Sequence, residues 1–254
     1  MKHLPNLLTL ANLFCGCIAI AYILTAQPYL SLSVQGGLPN WQWVNGAEQM
    51  YMGSIFIGIA AICDMLDGMT ARALKVFSPI GKDLDSLADI VSFGVAPGMM
   101  LFQLIGTHPF NWIGLLIPVF AALRLAKFNI DTRQTFYFIG LPTPANALFI
   151  ASFPLILAHN SYWQSVYLSN ILFTTWFFIS IAVVCSAIMV SPIKLFSLKM
   201  KDTTWNNNKT RYIFLIVSLG CFIGMGYPAI PIILLLYIIF SMLSKKSFDP
   251  APTE

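Results

Sequence analysis

Apolar runs long enough to cross a bilayer recur along almost the whole of this 254-residue chain. Predominantly apolar stretches of about 17 to 25 residues traverse about 30 Å of hydrocarbon as helices, which satisfy every backbone hydrogen bond internally. Eight are expected, at 7–26, 48–66, 87–106, 110–125, 141–158, 170–190, 212–225 and 229–243. The last two are short and separated only by Gly226-Tyr227-Pro228, so one broken hairpin is the other arrangement for that end. With 57% hydrophobic and 9% charged residues and a mean hydropathy of +0.76, the chain has too little polar surface to clothe a soluble globule. The expected fold is all-α: a polytopic membrane helical bundle of about eight transmembrane helices, with residues 1–254 forming a single transmembrane domain.

The basic residues orient that bundle. All 14 Lys and Arg fall in alternate connections: Lys2; Arg72, Lys75 and Lys82; Arg124, Lys127 and Arg133; Lys194, Lys199, Lys201, Lys209 and Arg211; Lys245 and Lys246. Under the positive-inside rule these connections, and with an even span count both termini, are cytoplasmic. The net charge of +4 is then a topology feature rather than a nucleic-acid footprint, and the clusters favour anionic headgroups. The apolar run after Met1-Lys2-His3 is longer than a signal-peptide core and lacks a small-x-small cleavage site before Gln27, so a retained first span is expected. The loop 27–49, with Trp41 and Trp43, is expected to anchor at the opposite interface. Residues 247–254 are expected to be a disordered tail. Five scattered cysteines without a C-x-x-C pairing are assigned to packing. His3, His108 and His159 sit at span ends on two sides of the membrane and receive no role.

Against this apolar background stands Asp64-x-x-Asp67-Gly68-x-x-Ala71-Arg72, then eight residues, then Gly81-x-x-x-Asp85-x-x-x-Asp89. Carboxylates at bilayer depth are costly and mark function by default. On helices, Asp64 and Asp67 share a face, as do Asp85 and Asp89. Ser78-Pro79 and Gly81 supply the reversal between the two helices. Two facing pairs make an acidic cage whose self-repulsion a hard divalent cation, Mg²⁺ or Mn²⁺, removes. A pair of such ions about 3.5 to 4 Å apart is a recurrent clamp for displacement at phosphorus. Arg72 suits a phosphate contact. Two other readings remain open: a salt-bridge network using Arg72, Lys75 and Lys82, and a cation-transport protein, although the outer halves of the spans lack polar residues to continue a path.

The complete pattern resembles the signature of the CDP-alcohol phosphatidyltransferases, every fixed position of which is met. The segments 4–12, 84–97, 123–129 and 140–145 narrow the resemblance to the membrane-embedded bacterial phosphatidylserine synthases. It covers roughly residues 4–195; residues 196–254 are additional C-terminal spans and tail. The resemblance implies transfer of a phosphatidyl group from CDP-diacylglycerol to L-serine, giving phosphatidylserine and CMP in a bacterial cytoplasmic membrane, with the active site facing the cytoplasm. It implies that Asp64, Asp67, Asp85 and Asp89 ligate two divalent ions, that Asp89 is also the proton acceptor, and that Gly68, Arg72 and Ser78 contact the CDP-diacylglycerol headgroup. It also implies a homodimer.

The serine carboxylate needs a cation, and Arg124 and Lys127 share a helical face near the cytoplasmic end of the fourth span, with Asn129 as a candidate amine partner. The alternative for these residues is positive-inside anchoring. Glycerol 3-phosphate or an inositol phosphate remains the alternative acceptor, since the metal motif is common to all.

Overall fold

A computed structural model describes residues 4–26, 29–35, 38–44, 47–76, 78–106, 108–130, 137–158, 174–196 and 205–243. Helices α1 (Leu4–Thr25) and α2 (Ala47–Leu74) come first. A continuous helical rod follows, made of α3 (Pro79–Asp89), a π-helical turn (Ile90–Val95) and α4 (Ala96–Ile105). A 3₁₀ segment (Phe110–Leu115) leads into α5 (Leu116–Ile130), followed by α6 (Thr143–Ala158), α7 (Thr175–Val190), α8 (Trp205–Met225) and α9 (Ala229–Leu243). Among the described residues, four helical stretches, Leu4–Thr25, Glu48–Leu74, Ile80–Ile105 and Phe110–Ile130, are long and apolar enough to cross a membrane, and three shorter apolar helices accompany them. The protein is a membrane-embedded helical bundle.

Helices account for every expected span, with three refinements. α2 continues eight residues past 66, so the first half of the acidic motif lies inside a helix rather than at its end. The last two spans are separate helices joined at Gly226, whose φ of 64 is the left-handed conformation that glycine adopts without strain. Two short antiparallel pairs lie in the connections: β1 (Tyr29–Gln35) with β2 (Leu38–Val44), and β3 (Tyr137–Ile139) with β4 (Lys194–Phe196). The first pair gives the loop expected at the opposite interface a hairpin backbone. Lys2, His3, Arg133, His159, Lys199, Lys201, Lys245, Lys246, the expected tail and the start of the sixth span at 170–173 lie outside the described residues.

The buried face of α1 is Pro5, Thr9, Asn12, Gly16, Ala19 and Ile23, a four-three alternation that keeps one stripe against its neighbours. The stripe is mostly small or polar, whereas Leu7, Leu10, Phe14 and Leu24 point outward. That is the reverse of a soluble helix and what lipid demands, because helices here gain by close backbone approach rather than by hiding leucine. α1 packs mainly on α2 and also on α3 and the π turn. Gly16 abuts the backbone and side chain of Ser92, whose hydroxyl donates to the Asn12 carbonyl at 3.0 Å. The π turn is thereby pinned to α1 directly beyond Asp89, and such turns concentrate at functional sites.

A second tight contact joins the rod to α5. A Cβ on Gly98 would lie 2.6 Å from Pro118 Cδ, and one on Gly114 would lie 2.7 Å from the Phe102 nitrogen. Gly98→Leu should therefore destabilise the bundle by about 1–3 kcal/mol, as overpacking does. Thermal unfolding of the purified protein in detergent reads this as a lowered Tm; an unchanged Tm would mean the rod and α5 do not meet at this glycine.

Candidate active site

The site forms where the polar ends of α1, α2 and α3 converge. Ser78 starts α3 by accepting the Gly81 N–H on its Oγ at 3.0 Å, with Pro79 in the first turn where a missing N–H costs nothing. This is the reversal expected from the sequence. Gly81 is required by proximity as well, since a Cβ there would lie 2.9 Å from Ser78 Oγ and 3.1 Å from Asn6 Oδ1.

Of the two facing aspartate pairs expected from the spacing, three carboxylates converge. Carboxylate oxygens of Asp64, Asp67 and Asp85 all lie within 4.8 Å of one another. Asp67 is 6% exposed, and its Oδ2 accepts the Thr9 hydroxyl at 2.7 Å, the shorter of the two contacts that hydroxyl makes. Asp85 Oδ1 is buried and has no hydrogen-bond partner among the described residues. Asp89 stands outside this trio. It is 8% exposed, accepts Asn12 Nδ2 on Oδ1 at 3.3 Å, and lies within electrostatic reach of Asp64, Asp85 and Asp67.

Three converging carboxylates, one with an unpartnered buried oxygen, fit a hard divalent cation. The donors are oxygens, and a cation cancels repulsion that no hydrogen bond within the trio removes. Beside them opens a cavity of about 510 Å³, lined by Asn6 and Thr9 from α1, Asp67, Gly68 and Ala71 from α2, and Ser78, Gly81, Lys82 and Asp85 around the start of α3. That volume falls within the range of about 300–1,000 Å³ that holds small ligands.

The other sequence candidates separate. Gly68 and Ser78 line the cavity, whereas Arg72 is exposed, its guanidinium alongside Gly68. Arg124 is turned inward at 7% exposure; Nη1 donates to Thr143 Oγ1 at 3.4 Å, and the guanidinium carbon stands 5.8 Å from the centre of the Phe128 ring. Lys127, three residues on, is exposed. Asn129 Nδ2 donates to Ser86 Oγ at 2.8 Å, while its carbonyl accepts Lys82 Nζ at 3.0 Å, tying α5 to α3. The structure therefore does not gather Arg124, Lys127 and Asn129 at one point. Thr9 and Asn12, which hold two of the aspartates, escaped the sequence reading, although their buried polarity three residues apart inside the first apolar run is the feature that marks them. Lys82, read from the sequence as a topology charge and a candidate ion-pair partner of the aspartates, also lines the cavity.

Fold and site together define a membrane-embedded helical protein in which three carboxylates able to hold a hard cation stand beside a cavity. Residues 2–183 match the family described as CDP-alcohol phosphatidyltransferase, and the chain belongs to that family. A Helicobacter pylori protein named CDP-diacylglycerol–serine O-phosphatidyltransferase is 30% identical over 245 residues, covering 94% of this chain and 89% of that protein. A Bacillus subtilis protein of the same name is 34% identical over 167 residues, covering 62% of this chain and 81% of that protein. One from Mycobacterium leprae is 31% identical over 205 residues, covering 77% of this chain but 58% of that protein, so the match spans little more than half of the mycobacterial relative.

Proposed function

We propose that this chain transfers the phosphatidyl group of CDP-diacylglycerol to the hydroxyl of L-serine, forming phosphatidylserine and releasing CMP. The observation that carries the proposal is the Asp64, Asp67 and Asp85 trio beside the cavity, in a member of a family whose similar bacterial proteins bear the serine-transferase name. The whole chain, 1–254, acts as one transmembrane catalytic domain. The alternation of basic connections supports a site at the cytoplasmic face of the bacterial inner membrane, with both termini on that side. The family resemblance supports a homodimer as the working unit.

Asp64, Asp67 and Asp85 hold the divalent ions, two Mg²⁺ or Mn²⁺, with Asp89 as a further ligand. When bound, these ions neutralise the pyrophosphate and polarise the phosphorus under attack. Gly68, Ser78 and Arg72 take the nucleotide diphosphate, the glycine by letting phosphate approach the helix backbone and the arginine by its charge. Thr9 fixes the orientation of Asp67. Asn12 occupies Oδ1 of Asp89, which supports Oδ2 as the oxygen that receives the serine hydroxyl proton. The serine oxygen becomes bonded to the lipid phosphorus, the phosphorus–oxygen bond to CMP breaks, and the proton remains on Asp89. The diacyl chains stay among the lipid-facing helix surfaces throughout.

Thr9→Val removes the hydroxyl that orients Asp67 but keeps the shape, and should weaken divalent-ion dependence by about 10-fold, as loss of an outer-shell partner does. A Mn²⁺ activation curve measures it, and an unshifted midpoint would remove Thr9 from the site. The function itself is tested with purified protein, CDP-diacylglycerol and labelled L-serine, glycerol 3-phosphate or inositol phosphate in competition, reading CMP and labelled lipid. CMP equal to labelled phosphatidylserine is expected. Label entering another acceptor would reassign the substrate, and no CMP with any alcohol would favour cation transport.

A further inference from the structure

Lys82, Asp85 and Asp89 follow one another along a single face of α3, three and four residues apart. Lys82 lies one turn nearer the start of the helix than Asp85, about 4.5 Å along its axis, and Asp89 lies one turn further in. Gly81, Lys82 and Asp85 line the cavity together, and Lys82 is the one cationic side chain among the described residues of its wall. Its ammonium pairs with no carboxylate among the described residues; it donates to the main-chain carbonyl of Asn129 at 3.0 Å. That contact uses one of the three donors of an ammonium and matches none of its charge.

Tying α3 to α5 does not require a cation. Asn129 Nδ2 joins the same two helices one turn along by donating to Ser86 Oγ at 2.8 Å, with neutral groups on both sides. A charge fixed on a cavity wall calls for an anion, and the proposed chemistry produces one nearby. In displacement at phosphorus the attacking and leaving oxygens are roughly in line. With Asp89 receiving the proton at the inner end of this face, attack comes from that end and the leaving phosphate faces the other, where Lys82 stands. Charge grows on that phosphate as its bond to the lipid phosphorus breaks. A cation already held in place stabilises it with no reorganisation at that moment.

We infer that Lys82 is the contact for the departing phosphate of the nucleotide, held at the cavity rim by the Asn129 carbonyl and turning its remaining donors to CMP as it leaves. The inference rests on the proposed function, because it takes a nucleotide as the leaving group. It gives the cavity a cation on α3 across from Arg72 on α2, so that the diphosphate is met from both helices.

The test uses the full-length protein purified in a neutral detergent, with Mn²⁺ present. Equilibrium dialysis reads binding of labelled CMP, and inhibition of CDP-diacylglycerol turnover compares CMP with cytidine, which lacks the phosphate. Lys82→Met should weaken CMP binding by about 10-fold, the scale of one hydrogen bond between charged groups, while inhibition by cytidine stays within about two-fold. The same variant should lower kcat/KM for CDP-diacylglycerol at least as much and leave the KM for serine within about two-fold. Lys82→Arg should recover most of the loss, and added salt should weaken CMP binding more in the wild type than in Lys82→Met. Ser86→Ala removes the other tie between α3 and α5 and should lower Tm without changing CMP affinity. CMP affinity left unchanged in Lys82→Met, an equal loss of CMP and cytidine, or a matching loss in Ser86→Ala would overturn the inference and make Lys82 a helix tie. An effect of Lys82→Met seen only in vesicles containing anionic lipid would overturn it in favour of a headgroup contact. Failure of the wild type to bind CMP at all would overturn the proposed function beneath it as well.

Discussion

Asp89→Asn is expected to slow phosphatidyl transfer by about 10³-fold, within the span that a positioned general base contributes. A serine hydroxyl is almost entirely protonated near neutral pH, so the step needs an acceptor for its proton at the moment the phosphorus is attacked. Asparagine keeps the size of the side chain and, through its carbonyl oxygen, keeps the hydrogen bond that Asn12 donates at Oδ1. What it lacks is the second carboxylate oxygen that accepts the proton. Steady-state CMP release measures the loss. Because Asp89 stands outside the trio whose oxygens lie within 4.8 Å of one another, the KM for CDP-diacylglycerol should change far less than kcat. A variant with near wild-type kcat would remove Asp89 from proton transfer, whatever its part in holding metal.

Asp67→Ala is the second large effect. Asp67 alone combines membership of the trio, a place on the cavity wall and a direct hydrogen bond from α1. Its loss withdraws one of three converging negative charges and leaves the Thr9 hydroxyl to its other acceptor, the Pro5 carbonyl. Activity should fall by about 10³-fold or more, in line with removing a preorganised charge from a transition-state clamp, and the loss should appear in both kcat and the KM for CDP-diacylglycerol. Raising the Mn²⁺ concentration should recover part of it, since a weakened site still fills by mass action. No rescue, combined with a lowered Tm, would mark Asp67 as structural.

Much of this was legible in the sequence because membrane physics leaves few choices. Span positions followed from apolar length, and spacings of three and four on helices whose phase is fixed at 3.6 residues per turn pointed to a cage of four carboxylates, of which Asp64, Asp67 and Asp85 converge. The inner face of α1 was not legible, because in lipid the outward face is apolar too and hydropathy carries no contrast between them. There the choice is made by Gly16, Ala19, Thr9 and Asn12, through close approach and polar contacts that only the neighbouring helices reveal. The π turn after Asp89 left no mark in composition either. Arg124 and Lys127 share a face by spacing, yet one is buried beside Thr143 and the other exposed. Long side chains choose between inward pairing and the interface by what the next helix offers, and α6 offers Thr143 to only one of them.

Manganese binding to the purified protein, followed by the EPR signal of free Mn²⁺ during titration, tests the central claim most directly. Saturable binding should be seen with the wild type, and both Asp64→Asn and Asp85→Asn should abolish it or weaken it by about 100-fold or more while leaving the helical content unchanged. Binding that is absent from the wild type, or that survives unaltered in both variants, would contradict the assignment of these carboxylates to a metal centre, and with it the transferase mechanism built upon them.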